Sequence, residues 1–454
     1  MNKVKPALLR GFDQEYLPRE QLQFNALIDI IRRNFELFGF LPLETPSAER
    51  KEVLISKGGV EKEIYALRRL ADDPDDEAAT KGAMRFDLTV PLARYVAMRE
   101  RELAFPFRRY QIQRVWRGET PQARKGRFRE FYQCDIDIIG REKLGYFAEA
   151  EIPGVIFRVF SEMGIGPFLI RINNRKLLRG LLRKYSLADE RAAAVLRALD
   201  KIEKEDPARL LRDLESEGLR PEQARELFGL IAAERTTDET LEVLAGLGDR
   251  GEDLQRGLDE SRRIVAAIRD FGVPDAAFRM DLRVVRGLDY YTGTIYETTL
   301  LGHPELGSIC SGGRYDDLAS HFTDTRLPGV GISIGLTRLF SKLKEIGLLK
   351  PPPRTPAEVL ITTMEGENHR EYLEMARLLR AAGINTEVYL EQARLKKQFE
   401  YAEKKGFRIA LTAGGNEFAS GTVLIKNLAT RTEIGCPRAQ LVESVMNTLN
   451  LARG

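Results

Sequence analysis

Histidine and cysteine are the scarce residues of this chain, three of each in 454. The cysteines, Cys134, Cys310 and Cys436, are odd in number and far apart, which leaves no disulfide framework and no CxxC metal pair and fits a reducing, cytoplasmic setting. The histidines, His303, His321 and His369, stand apart from one another, so no zinc site built on His and Cys, and no structural metal, is expected. Long apolar runs are missing too. Nothing approaches the ~20 residues needed to span a bilayer, and residues 1–10 carry no apolar stretch of the kind that directs secretion. There is also little excess charge: 71 basic and 68 acidic residues leave a formal net charge of +3. A nucleic-acid partner must then be gripped by local basic patches rather than by a global field.

What is present suffices for more than one core. The chain is 43% hydrophobic and 31% charged, and its length predicts two or three globular domains. Residues 22–38 read as an amphipathic helix, because Phe24, Leu27, Ile28, Ile31, Phe35 and Phe38 recur at three- and four-residue spacing. Gly39 and Pro42 end it, and an extended stretch, 40–45, leads to Pro46. Residues 71–77 form an acidic, proline-broken loop. From 105 to 140 two runs of period-two alternation are joined by a turn-rich segment, 119–126, which predicts an antiparallel strand pair. Residues from 174 to about 270, rich in Arg, Glu, Leu and Ala, read as a helical insertion. Strands are expected again at 281–285, 294–299 and 330–334, with a helix over 336–345. Pro351-Pro352-Pro353 is a stiff linker, placed at 351–354, between a domain of residues 1–350 and a second of residues 355–454. Strands at 359–363, 386–389 and 408–411, alternating with helices near 368–382 and 392–405, make the second an α/β domain.

Three clusters carry polar chemistry. In a strand over 127–139, Phe128, Tyr132, Cys134, Ile136 and Ile138 share one side, while Arg127, Arg129, Gln133, Asp135 and Asp137 share the other. The second side suits a site that grips a zwitterion and a polyphosphate; a solvated sheet face would read the same way. The preceding strand puts Gln113, Val115 and Arg117 on one side. A second cluster joins Arg286-Gly287-Leu288-Asp289-Tyr290-Tyr291-Thr292-Gly293 to Ser311-Gly312-Gly313-Arg314-Tyr315, in which glycines let backbone approach a ligand or simply make turns. The third, residues 329–338, is a glycine-punctuated strand running into a helix whose first turn carries Arg338. A cation there calls for an anion partner. It has neither the GxxxxGK[ST] nor the GxGxxG spacing of the common nucleotide loops.

In this order the clusters resemble the three motifs of class II aminoacyl-tRNA synthetases. The helix at 22–38 and its extended sequel resemble the first motif, which supports a dimer. Arg117-Gly118-Glu119 through Arg127-Phe128-Arg129-Glu130-Phe131 resembles the second, and Gly331 to Arg338 the third. RGLDYYTG and SGGRYD are similar to the two signatures of histidyl-tRNA synthetases, and LLRGFDQEYLP and RFDLTVPLARYVA also look like that family, the latter in the variant that carries Asp-Leu-Thr in place of Glu-Gly-Thr.

The resemblance implies an antiparallel sheet flanked by helices, with a helical insertion and a C-terminal α/β anticodon-binding domain. It implies ATP and Mg²⁺, histidine and tRNA(His), and a homodimer. By the same resemblance Asp87, Thr89 and Gln133 hold the amino group of histidine, and Asp137, Tyr290, Tyr291 and Tyr315 surround its imidazole. Arg117, Arg127 and Arg338 bind ATP phosphates, with Glu119 near the adenine or the tRNA end. Arg286 lies against the α-phosphate and the histidine carboxylate and, with Arg117, is the catalytic expectation. Gln122, Arg124 and Lys125 are expected to touch tRNA. A carboxylate and a tyrosine hydroxyl satisfy the donor and the acceptor of a neutral imidazole, and such a pair rejects amino acids lacking them by as much as ~10⁴-fold. Synthetase-like regulatory subunits and tRNA-sensing modules are the alternatives. They typically degrade the signatures or sit in longer chains.

Overall fold

The structure is a computed structural model and describes residues 4–56, 61–73, 80–122, 126–187, 189–248, 251–285, 287, 291–317, 319–351, 353–364 and 368–451. The chain divides into two compact units, Met1–Glu15 with Leu27–Leu349 and Tyr16–Ala26 with Lys350–Gly454.

In the first unit the strands follow in chain order as β1 (Leu41–Pro42), β2 (Ala48–Arg50), β3 (Ala66–Leu67), β4 (Gly82–Met84), β5 (Phe107–Trp116), β6 (Glu130–Ile139), β7 (Phe168–Asn174), β8 (Phe278–Met280), β9 (Thr294–Leu300), β10 (Ser308–Tyr315) and β11 (Gly329–Gly335). Eight of them form one sheet in the order β1-β5-β6-β11-β10-β9-β7-β8. It is antiparallel except at its ends, where β1 runs parallel to β5 and β7 parallel to β8. The strands β2, β4 and β3 make a separate small sheet.

Period two explains the sheet's sidedness. Cys134, Ile136 and Ile138 of β6 pair with Ile334, Ile332 and Val330 of β11, and all six are buried. Helix Tyr146–Met163 packs on β7 and β11 through an apolar face that includes Ile152, Val155, Ile156 and Val159. The opposite face carries the polar row of each strand. Gln111, Asp135, Ser333, Ser311, Glu297 and Arg171 fall into one register row, and Arg109, Asp137, Gly331 and Gly313 into the next.

The stretch read as a helical insertion holds helices Arg175–Arg183, Asp189–Leu199, Pro207–Ser216, Pro221–Ala232, Thr237–Gly246 and Gly251–Asp270. Helix Pro18–Leu37 begins a turn earlier than expected, with its proline in the first turn where no amide donor is needed. Phe24, Leu27, Ile31 and Phe35 of its apolar stripe are buried.

One expectation needs correction, and one open alternative is decided. The strand expected at 281–285 lies at Phe278–Met280 instead. The backbone at 281–285 turns on itself, with the Val284 amide donating to the Asp281 carbonyl, and bonds side chains in part: the Asp281 carboxylate accepts from the Arg283 amide at 3.0 Å, and Asn173 Nδ2 donates to the carbonyls of Leu282 and Val284. The Gly-rich segment at 308–315 is a full strand, β10, between β9 and β11, and not a pair of turns.

The second unit is a five-stranded sheet of β12 (Val359–Ile361), β13 (Thr386–Val388), β14 (Ile409–Thr412), β15 (Thr422–Asn427) and β16 (Glu433–Pro437), ordered β13-β12-β14-β15-β16. The first three strands in that order are parallel, and β15 and β16 add an antiparallel hairpin that the sequence reading did not include. Helices His369–Ala381 and Leu441–Leu451 bury Met375, Leu379, Val445 and Leu449 in the core with Val359, Ile361 and Leu411. Among the described residues no helix is long and apolar enough to cross a membrane.

Candidate active site

The polar face of the large sheet gathers buried charge. Asp137 lies in the middle of β6. Its Oδ1 accepts from the Tyr315 hydroxyl at 2.7 Å, and its Oδ2 lies 2.7 Å from Arg109 Nη2. The two partners come from the strands β5 and β10, and Gly331 of β11 separates Tyr315's strand from β6. A Cβ at Gly331 would stand 2.2 Å from Asp137 Oδ1, so the carboxylate occupies the volume that a side chain would need. Tyr291 is seated in the same way. Gly287 has φ +69°, and a Cβ there would lie 2.1 Å from the Tyr291 ring.

Thr89, Asp135, Asp137, Tyr291 and Tyr315 line one small cavity. Asp87 stands beside it at the start of helix Thr89–Arg99, where its Oδ1 accepts from the Val90 amide at 3.0 Å. Burial pushes the Asp137 carboxyl up to about 6; Arg109 and the Tyr315 hydroxyl oppose the rise, and Asp87 adds to it. Asp135 is pushed up to about 7, again chiefly by burial, against the pull of Arg109 and Ser333 and with the charges of Asp137 and Asp87 adding to the rise. Desolvation and the nearby Asp137 and Asp135 also hold the Tyr291 hydroxyl well above the ordinary phenol range.

A second cleft adjoins the first, and Ser311 and Ser333 line both. Arg117, Glu119, Arg127 and Arg338 line it, together with Gln133 and Lys342. Arg117 Nε donates to the Phe86 carbonyl at 3.0 Å and its guanidinium lies 5.1 Å from the centre of the Phe131 ring. Arg127 and Glu119 approach at 3.6 Å. Arg338, in helix Leu336–Glu345, donates from Nη2 to the Leu306 carbonyl, and the neighbouring Thr337 hydroxyl accepts from the Tyr132 amide, which ties the helix to β6. Gln133 donates from Nε2 to Ser333 Oγ at 2.7 Å, so it faces the boundary between the two clefts. Gln122 is exposed and pairs through its backbone with Arg127. Arg124, Lys125, Arg286 and Tyr290 lie outside the described residues.

Sequence reasoning missed Arg109 and gave no role to Asp135, Ser311 or Ser333. The signal for Arg109 was available, because period two carried back from Gln113 through Gln111 reaches it. Its pairing with Asp137 is set by the β5–β6 register.

In the second unit, helix Leu395–Lys405 exposes Lys396, Lys397 and Lys404, with Arg394 at its N-cap. Lys405 lies 3.3 Å from Glu387 and Arg408 pairs with Glu358 at 2.9 Å, so those two cations are already matched within the unit.

Comparison with known proteins agrees over both units. The family model described as histidyl-tRNA synthetase matches residues 13–339, and that of an anticodon binding domain matches residues 358–448. The histidine–tRNA ligase of Xanthomonas axonopodis pv. citri is 45% identical over 99% of this chain and 98% of its own length, and that of Stenotrophomonas maltophilia is 46% identical over 99% of each. The crystal structure of histidyl-tRNA synthetase from Nostoc sp. PCC 7120 superposes with a TM-score of 0.90 at 39% identity, covering 98% of this chain and all of that one. Matched by the family model over most of its length and by such relatives over 99% of it, the chain belongs to the histidyl-tRNA synthetase family.

Proposed function

We propose that the protein activates histidine with ATP and transfers it to tRNA(His). The observation that carries this reading is Asp137, buried and held between Arg109 and Tyr315 in a cavity that opens beside an arginine-lined cleft. The cavity suits a small zwitterion with a side chain that both donates and accepts hydrogen bonds. The cleft suits a polyphosphate.

In the proposed arrangement Asp87, Thr89 and Gln133 serve the amino end of histidine, and Asp137, Tyr291 and Tyr315 its imidazole, joined by Tyr290. Arg117, Arg127 and Arg338 face the ATP phosphates, with Glu119 at the nucleotide or the tRNA end. A carboxylate oxygen of histidine attacks the α-phosphorus in line, the bond to the leaving pyrophosphate breaks, and histidyl-adenylate forms. The terminal ribose hydroxyl of the tRNA then attacks the acyl carbon and AMP leaves. Two anions must meet in the first step, so positioned cations carry most of the catalysis, and no covalent enzyme intermediate is required. Arg117 belongs to that group, and the family resemblance adds Arg286. Mg²⁺ enters the proposal as the companion of the ATP phosphates. Among the described residues no group of three His, Cys, Asp or Glu side chains is arranged to hold it apart from the nucleotide.

Gln122, Arg124 and Lys125 are proposed to meet the acceptor end of the tRNA, and the unit matched as an anticodon binding domain its other end. The catalytic domain is taken as residues 1–350 and the anticodon-binding domain as 355–454, joined by 351–354. We further propose a cytoplasmic homodimer. Light scattering should return twice the 51.5 kDa chain mass at micromolar concentration; the mass of one chain would refute the dimer. The deciding assay for the activity is ATP–pyrophosphate exchange, expected with histidine and with none of the other nineteen amino acids. A purified, folded protein without histidine-dependent exchange would defeat the reading.

A further inference from the structure

Asp135 stands in the same cavity as Asp137 but is partnered differently. Both oxygens of Asp137 are engaged, one by Tyr315 and one by Arg109. One oxygen of Asp87 is engaged by the start of a helix. Asp135 faces Ser333 across the β6–β11 register, and its Oδ1 is buried with no hydrogen-bond partner among the described residues. The residue as a whole is 3% exposed. A buried carboxylate oxygen without a donor is costly, so a donor from a ligand is expected.

Two observations say which part of a ligand that is. The first is charge. Asp135 faces Asp137 and Asp87, with Arg109 and Ser333 as the favourable neighbours. Among the described residues the guanidinium beside Asp135 and Asp137 is that of Arg109, which pairs with Asp137. At neutral pH the full positive charge of histidine is its α-ammonium, while its imidazole is mostly neutral. The second observation is position. Asp135 shares its register row with Ser333 and Ser311, the two residues that also line the nucleotide cleft. Asp135 lines the inner cavity and not the cleft, as do Asp137, Tyr315, Tyr291 and Thr89, but the Asp137 row of Gly331 and Gly313 does not reach the cleft as the Asp135 row does. The α-carbon end of the amino acid must lie toward the nucleotide, because its carboxylate is the group that becomes activated. Asp135 is therefore on the α-carbon side and Asp137 on the imidazole side.

We infer that Asp135 is a direct ligand of the substrate, accepting a charge-assisted hydrogen bond from its α-ammonium through Oδ1 and so selecting an α-amino acid over its des-amino analogues. The inference rests on the reading of this cavity as the amino-acid site. The ionisation of Asp135 fits it: burial and the two other carboxylates leave it partly protonated in the empty site, and the arriving ammonium restores the carboxylate.

The test uses the full chain and two ligands, histidine and β-imidazolyl-lactate, in which a hydroxyl replaces the ammonium. Calorimetric titration of the wild type and of Asp135→Asn is expected to show a loss of about 10- to 100-fold in histidine affinity. The imidazolyl-lactate affinity should stay within about threefold, since its hydroxyl brings no positive charge to the carboxylate. Equal losses for both ligands would mean a general distortion and overturn the inference, as would a histidine affinity within threefold of wild type. If Asp135→Asn does not give a cooperative melt, Asp135→Ser carries the same comparison. A wild type that binds neither ligand and shows no exchange defeats the reading of the cavity, and the inference falls with it. A wild type that exchanges normally while Asp135→Asn leaves histidine binding unchanged defeats the inference alone.

Discussion

The Tyr315 hydroxyl and the Asp137 carboxylate meet at 2.7 Å across the width of one intervening strand, although they are 178 residues apart in the chain. The tyrosine, with Arg109, opposes the rise that burial imposes on the Asp137 carboxyl, and it engages one oxygen while the other meets Arg109. Tyr315→Phe removes the donor and leaves the ring. Histidine KM in pyrophosphate exchange should rise about tenfold, with ATP KM within about threefold, if the cavity takes histidine as proposed. An unchanged histidine KM would show that Arg109 alone suffices to orient Asp137.

Arg109 is fully buried and compensates two carboxylates that sit close to each other. Arg109→Met leaves both without their cation. The expected loss in unfolding free energy is about 3–5 kcal/mol at pH 8. It should be smaller at pH 5, where Asp135 and Asp137 can take up protons instead. Denaturant titrations at the two pH values check both the size and the sign. A loss independent of pH would mean that the arginine acts by packing alone.

Asp135 itself has a pH signature. Its carboxyl is raised from an ordinary 3.8 to about 7, so between those values the folded chain holds a proton that the unfolded chain has released. Its contribution is therefore fully present below about pH 4 and is lost as pH rises through 7. Asp135→Asn has no such proton. The stability of the variant relative to wild type should rise by roughly 1–3 kcal/mol between pH 4.5 and pH 8. Parallel thermal melts across that range are the measurement, and a constant difference would place the carboxyl near its ordinary value.

Gly126 presses on Arg338. It has φ +66°, and a Cβ there would stand 2.8 Å from Arg338 Cγ. Gly126→Ala combines backbone strain with displacement of a side chain in the arginine-lined cleft proposed to take ATP. ATP KM should rise about tenfold while calorimetric histidine affinity holds. If the effect passes through the arginine, Gly126→Ala should add little to Arg338→Ala. Full additivity would separate the two.

On the second unit, Lys396 and Lys397 are exposed at the start of helix Leu395–Lys405. Charge reversal by Lys396→Glu with Lys397→Glu should leave histidine-dependent exchange untouched. The tRNA KM in aminoacylation should rise several-fold, and its dependence on salt should become shallower by about two ion equivalents, if both lysines neutralise phosphates. Unchanged charging would make this an ordinary solvated helix face.

Much of the large sheet was legible because its strands must satisfy a core on one side. The alternation Phe128, Tyr132, Cys134, Ile136, Ile138 marks β6 and its polar partner face directly. The 174–270 stretch is legible by composition, since helices that pack on one another need Leu and Ala at regular spacing. Strand β10 was harder to see. Glycine weakens strands, and Ser311-Gly312-Gly313 reads as a turn until β11 and the Tyr291 ring are known to fill the space where its side chains would be. Residues 281–285 mislead in the opposite sense, because two valines suggest a strand while Asn173, far away in sequence, takes the carbonyls of Leu282 and Val284. Alternation puts Arg109 and Asp135 on the polar face, but what singles them out there is the company that register gives them and their burial.

That register has a consequence for how the protein can fail. Asp135 and Asp137 alternate with Cys134, Ile136 and Ile138 on one strand, and β11 reads both sets at once. A slip of one residue between β6 and β11 would turn two carboxylates into the oily side of the sheet and bring isoleucines to the substrate, at a cost far above the few kcal/mol by which domains are stable. Misassembled copies with a solid core and a scrambled catalytic face are thereby eliminated by folding itself. A preparation that melts cooperatively should be close to fully active by active-site titration, and inactive material should appear as aggregate rather than as a well-folded impostor.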